Sequence, residues 1–409
     1  MPPLPRTAWA EIDLGALAGN LEVLRRLAGD GAPLHPVIKA DAYGHGALPI
    51  ARALEEAGAA GFCVATLDEA LALRGAGIDR PILVLYAIPP SLGLVAGARN
   101  ITVTASDADL LGELLDALPA ERTPVVALEL EVETGLGRGG FAGPALVAAA
   151  RAIREAPGAL ISGMWTHLQA PEDEARTAAQ LERFERATTD LEAAGFRLPR
   201  HVAASAGLVL DGVASLDGAR PGLATYGLVP DELLERLGAG VAGLRPVLSL
   251  HARPVRVTDV PAGWGISYGP TFTTSRPSRI ATLPIGYGDG WSRALSNRAE
   301  TLVRGRRVPL VGNVAMDAVM ADVTDVPGEP VTVRDEFVLI GAQGGERITA
   351  ADVARARGTN SWEVVTTIAA RLPRVYHAAS VPRETRTLIA DAIPDPGDVE
   401  VGGRRSRRP

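Results

Sequence analysis

Residues 36–46 read PVIKADAYGHG. A short β-prone run ends at a lysine and the chain then turns through small residues and glycines, as where a parallel strand hands over to its helix. Working outward, β-prone runs recur at 62–65, 81–86, 101–104, 125–132, 160–167, 201–204 and 220–226. Between them, segments such as 48–57, 67–74, 145–155 and 172–194 carry apolar residues at three- and four-residue spacing, as crossover helices over a sheet do. Eight runs, counting 36–40, in roughly 200 residues predict an α/β unit closed into a (β/α)8, TIM-like barrel over residues 8–240. A doubly wound open sheet is the competing architecture.

Beyond residue 240 the texture changes. Runs at 248–257, 279–285, 300–311, 319–323 and 336–340 are β-prone and separated by Gly and Pro turns, which predicts a second, mostly-β domain over 241–385. Short helices are expected within it at 348–356 and 361–370, the first capped by Thr349 with Asp352 in its opening turn. From 386 to 409 the chain loses apolar periodicity and ends in RRSRRP, read as a flexible, solvated tail.

The composition narrows the function. The chain has 409 residues, 47% hydrophobic and 22% charged, with a formal net charge of −7, which disfavours nucleic acid and anionic membrane as partners and leaves small molecules. The start lacks the pattern of a signal peptide, and no run is apolar and long enough for a membrane span. Cys63 is the only cysteine, so no intrachain disulfide can form, and a reducing cytoplasm fits best. No metal-ligand constellation is apparent, since the six histidines are scattered.

One lysine, Lys39, stands against 40 arginines. Arginine cannot supply an amine that loses its proton and adds to a carbonyl, so a single lysine retained at a barrel mouth points to that chemistry. The same strand ends carry Arg138, His167, Ser205 and Arg220, and a shared site explains their convergence better than four separate structural roles. Lys39 as the Schiff-base partner of pyridoxal phosphate follows, with Ser205, the Gly222 backbone and Tyr43 as phosphate donors. Arg220 would face the pyridine nitrogen, where a permanent cation keeps that nitrogen unprotonated.

Taken in order, PVIKADAYGHG, TGLGRGG, WTHL, RPGLATYGL, GISYG, LPIGYGDGW and GNVAMD resemble the alanine racemase family over about residues 8–380. The resemblance implies a pyridoxal phosphate enzyme acting as a head-to-tail homodimer, an isomerase that interconverts L- and D-alanine for peptidoglycan precursors. It implies Lys39 as one acid/base and Tyr268, from the partner subunit, as the other. His167 would lie behind the ring and link Arg220 to Tyr268. Ser205, Tyr43, Gly222 and Leu223 would hold the phosphate side, and Arg138 and Met316 the substrate carboxylate. Two groups on opposite faces are what inversion of a stereocentre requires.

Four positions depart from the family. Glu131 stands where a lysine, often carbamylated, is usual, and an ionised Glu131 would itself hold Arg138. Ala370 replaces a tyrosine, which predicts a roomier pocket and admits a broader or serine-preferring specificity as the alternative. Asn313 replaces an arginine, and Ala204 an asparagine. A non-catalytic pyridoxal phosphate barrel and a basic amino-acid decarboxylase are rival readings. The first has no use for a second domain bearing Tyr268, and the second generally places a functional cysteine in its second domain. Residues 135–140 spell GxGxxG, but the preceding LELEVET alternates acidic and apolar residues, unlike the buried first strand of a dinucleotide fold. GYGDGW lacks the GK[ST] of a phosphate loop.

Overall fold

The structure is a computed structural model and describes residues 3–29, 31–119, 124–210, 215–229, 243–379 and 381–387. The expected tail lies almost entirely outside the described residues, as does the boundary at 240. Two compact units divide the chain: Ile12–Leu248 with Thr349–Thr367, and Met1–Glu11 with Ser249–Ile348 and Ile368–Pro409.

In the first unit six strands pair in parallel in chain order: Phe62–Val64, Ile82–Val84, Ile101–Ala105, Val126–Glu131, Ala159–Trp165 and Arg200–His201. Phe62–Val64 and Ile82–Val84 are buried at every position, as strands covered on both faces must be. Bridges from Val37 to Cys63, Leu34 to Ala219 and Ala204 to Arg220 join the two remaining segments and close the ring, which excludes the open sheet. Both closing segments depart from expectation. The first pairs at Leu34 and Val37 but leaves the extended conformation at Lys39, and the last pairs only at Ala219 and Arg220 before a tight helical turn, Leu223–Tyr226.

The covering helices start where side chains replace missing backbone partners. Asp13 accepts from Ala16 N–H at 2.8 Å ahead of Leu14–Ala28, and Thr66 with Glu69 forms a capping box on Leu67–Gly75. Pro144 opens Pro144–Glu155, where its missing N–H costs nothing. Ala47–Glu56 and Glu174–Ala193 complete the helices that the spacing predicts. No helix of the described residues is long and apolar enough to cross a membrane.

The second unit is built on a mostly antiparallel sheet. Its strands run in the order Val381–Arg386, Arg374–Ala378, Ala8–Asp13, Leu248–Ala252, Phe337–Gln343, Glu300–Val303, Arg306–Val311, Val319–Asp322, Ser278–Leu283 and Arg256–Val260. The run read as 300–311 is a hairpin, turned by Arg304 and Gly305 at φ 51° and 70°, the paired left-handed geometry that matches strand twist. Helix Ala350–Arg357 carries the expected Thr349–Asp352 capping box. That helix and Ser361–Thr366 fall in the barrel's compact unit rather than among the β strands, and residues 8–11, read as the barrel's start, fall in the β-rich unit. Local periodicity identifies an element but not the surface that buries it.

Candidate active site

Lys39 opens a turn that sequence propensity does not announce. Ala40, Asp41, Ala42 and Tyr43 all lie in the left-handed region, at φ 52–54°. An L-residue there costs about 1–2 kcal/mol, so neighbours must hold the turn in place. Glu69 Oε1 accepts from Ala40 N–H at 2.6 Å, Asp41 Oδ1 accepts from Ala47 N–H at 2.8 Å, and the Asp41 carbonyl accepts from Gly46 N–H at 2.8 Å. Burial pulls the Lys39 ammonium below the usual lysine range, with the Arg138 charge adding and Glu69 and Cys63 opposing. The amine is thereby shifted toward its nucleophilic form.

Tyr43, Ser205 and Gly222 converge beside this turn. Ser205 Oγ accepts from the N–H groups of Gly222 and Ala224 at 2.9 and 3.1 Å, which gathers these donors and a hydroxyl at the head of Leu223–Tyr226. A Cβ on Gly222 would come within 2.7 Å of Tyr43 Oη, so only glycine leaves this cradle open. Burial pushes the Tyr43 hydroxyl up to about 12, keeping it a neutral donor. These residues fit a phosphate group.

Deeper in the barrel, Arg220 is 3% exposed and lies 4.8 Å from the Trp165 ring centroid. Its Nη2 donates to the Thr166 carbonyl at 2.7 Å, and its Nη1 donates to His201, to the ring Nδ1 and to the carbonyl at 3.1 Å. None of the described residues accepts from its Nε. Within this chain the imidazole hydrogen-bonded to Arg220 is His201; the link expected through His167 would run to Tyr268 of the partner subunit. His167 sits near Arg220, Arg138 and Lys39, and burial reinforced by those three charges pulls it down to about 3, so it is a neutral ring. His201, Glu129, Glu69 and Trp165 were not singled out from the sequence. Trp165 lies in the WTHL stretch and Glu69 in the Thr66 capping box, but Glu129 and His201 belong to no local motif, and only the closed ring brings them to the site.

Arg138 is held by Glu131, whose Oε1 accepts from Nη2 at 3.0 Å, with side chains 30% and 5% exposed. The guanidinium also lies 5.4 Å from the Tyr86 ring. Burial pushes the Glu131 carboxyl up, with the Arg138 hydrogen bond and charge opposing. In the GxGxxG stretch, the Glu133 carboxylate accepts from Gly135 N–H and, at 2.8 Å, from Gly137 N–H. A carboxylate occupies the donors a dinucleotide phosphate would need, which removes that reading.

In the β-rich unit, Tyr268 is 82% exposed on the loop of the ribbon Gly265–Ile266 and Phe272–Thr273. Asn313 fastens this loop: Nδ2 donates to the carbonyls of Tyr268 and Gly269, both at 2.9 Å, and Oδ1 accepts from Thr271 at 3.2 Å. Met316 is 53% exposed, and Ala370 is exposed. The GYGDGW stretch is structural: Asp289 takes Arg6 at 2.6 Å, Arg371 at 2.8 Å and the Gly286 N–H at 3.0 Å.

Residues 12–230 match the family model described as alanine racemase, N-terminal domain, and residues 247–376 the model of its C-terminal domain. The alanine racemase of Symbiobacterium thermophilum is 42% identical over 378 residues, covering 91% of this chain and 97% of its own. The crystal structure of alanine racemase from Bacillus anthracis with bound L-Ala-P superposes with a TM-score of 0.88 at 33% identity, covering 94% of this chain and 98% of its own. Alanine racemase from Streptomyces coelicolor A3(2) does so at 0.81 and 38% identity, covering 90% and 98%. With both halves matched in order and a barrel mouth built around Lys39, this chain belongs to the alanine racemase family.

Proposed function

We propose that this protein is an alanine racemase that uses pyridoxal phosphate and interconverts L- and D-alanine in the cytoplasm, supplying D-alanine for peptidoglycan precursors. The observation that carries the reading is the convergence on Lys39 of a cradle for phosphate and a buried cation. Tyr43, Ser205, Gly222 and Leu223 would hold the phosphate, and Arg220 would face the pyridine nitrogen. When bound, the cofactor supplies an electron-withdrawing ring conjugated to the substrate α-carbon. Arg220 cannot surrender its proton, so it would leave a pyridine nitrogen facing it unprotonated and the electron sink weak, which would favour return of a proton to the α-carbon over side reactions.

Arg138, held by Glu131, and Met316 orient the substrate carboxylate. Lys39 and Tyr268 hold or move the α-proton on opposite faces, with Tyr268 contributed by the partner subunit of a homodimer. An exposed tyrosine on a fastened ribbon loop suits a residue that completes another subunit's site. His167, kept neutral, adds no charge between Arg220 and Arg138.

The test is incubation of the purified protein with L-alanine or L-serine, followed by oxidation with a D-amino acid oxidase. D-Alanine formed in preference to D-serine is the expected result; neither product would remove the racemase reading and leave a non-catalytic barrel.

A further inference from the structure

The barrel interior holds a chain of three polar groups, one buried and two largely buried, that the proposed chemistry uses only at one end. We propose that Glu129 is a positioning residue for Arg220, acting through His201. The inference rests on the reading above that Arg220 faces the cofactor ring.

The argument is a count of donors and acceptors. Arg220 has only donors, so the His201 Nδ1 bonded to its Nη1 must present a lone pair. A neutral imidazole with its lone pair on Nδ1 carries its proton on Nε2, and Nε2 lies 2.7 Å from Glu129 Oε2. The carboxylate must then accept, which it does when ionised. Each end permits one role, so the two together fix the tautomer of the ring between them. A proton on Nδ1 would set donor against donor and turn the guanidinium away.

The surroundings agree with that assignment. The His201 and Glu129 side chains are 14% and 16% exposed. Burial and the Arg220 charge pull His201 down, which keeps the imidazole neutral. Although burial alone would push the Glu129 carboxyl up, His201, Arg220 and His35 hold it below the usual carboxylate range. Trp165 stacks on His201 at 6.4 Å and 17° and also lies under Arg220, so the imidazole and guanidinium share one flat wall. With Thr166 taking Nη2 and His201 taking Nη1, the remaining Nε–H has one direction left to it. Glu129 sets that direction through His201, and its negative charge answers a cation that solvent does not reach.

Histidine-selective 15N labelling of the protein, with and without pyridoxal phosphate, reads the tautomer, and His201→Asn assigns the resonance. The expected result for the wild type is a ring protonated on Nε2 and bare on Nδ1, unchanged from pH 6 to 8. Glu129→Leu removes the acceptor: it should lose that tautomer, shift the absorption band of bound pyridoxal phosphate and lower kcat about tenfold or more, with KM little changed. Glu129→Gln keeps an acceptor oxygen and should restore the tautomer and most of kcat. An imidazolium or an Nδ1-protonated ring in the wild type overturns the proposal, whether or not Glu129→Leu folds. So does a Glu129→Leu protein with unaltered band and kcat. If the protein takes up no pyridoxal phosphate but shows the Nε2 tautomer, the relay stands and the cofactor reading falls.

Discussion

Glu131 receives the Arg138 guanidinium at 3.0 Å and is itself 5% exposed, so a buried carboxylate decides where the exposed part of Arg138 points. A charge-assisted hydrogen bond of this kind is worth about 1.5–3 kcal/mol. Glu131→Gln keeps the shape and removes the charge. Steady-state kinetics should show KM for alanine raised about tenfold with kcat changed less, because Arg138 is proposed to bind the carboxylate in ground and transition states alike. An unchanged KM would detach Arg138 from substrate binding.

Strain in the turn after Lys39 gives a stability test. Ala40 holds φ 52° without glycine's freedom, and Ala40→Gly removes the Cβ that makes this conformation costly. Allowing for the extra entropy of glycine in the unfolded chain, a gain of up to about 1 kcal/mol is expected, while β-branched Ala40→Val should lose about 2 kcal/mol. Denaturant unfolding of the two variants checks the order. Ala40→Val as stable as the wild type would contradict the left-handed turn.

Asn313→Ala cuts three hydrogen bonds to the loop that carries Tyr268. The fold should persist, because the sheet does not depend on this loop. Limited proteolysis should speed up within 265–273, and kcat should fall about tenfold while binding of pyridoxal phosphate is retained. Equal kcat would mean that Tyr268 does not need its loop held.

Two histidines set an acid limit on stability. Burial is the main cause that pulls His35 down to about 4 and His167 to about 3, against an unfolded value of 6.5. The unfolded chain therefore binds more protons below pH 6.5, and stability falls as pH falls from there toward the folded values. His35 alone accounts for roughly 2–3 kcal/mol. Unfolding free energies at pH 7.5 and pH 5 should differ by at least that order, in the sense of lower stability at pH 5. A flat profile across this window would contradict the neutral, buried rings.

Much of this was legible in the sequence because it is local. The alternation of strand and helix, the capping of Ala350–Arg357 by Thr349, and Lys39 at a strand end are written in neighbouring residues. The rest depends on closure of the ring. His201 and Arg220 are 19 positions apart and Glu129 and His201 are 72 apart, and no motif spans such distances. His167 stands in the recognisable stretch WTHL, whereas His201 stands in none, so its bond to Arg220 emerges only from the fold. The left-handed turn was invisible for a different reason: alanine is among the residues least expected there, and Glu69, 29 positions from Ala40, helps to hold it. Glu131, read beside Arg138 within one loop, is the reverse case, and there the local expectation and the ion pair agree.

The account turns on a covalent bond at residue 39. Reduction of the pyridoxal phosphate-loaded protein with borohydride, digestion and mass mapping should place one pyridoxyl group on the peptide containing Lys39, and Lys39→Ala should carry none. A label on the chain's N-terminal amine, or no label in a protein that still racemises alanine, would contradict it.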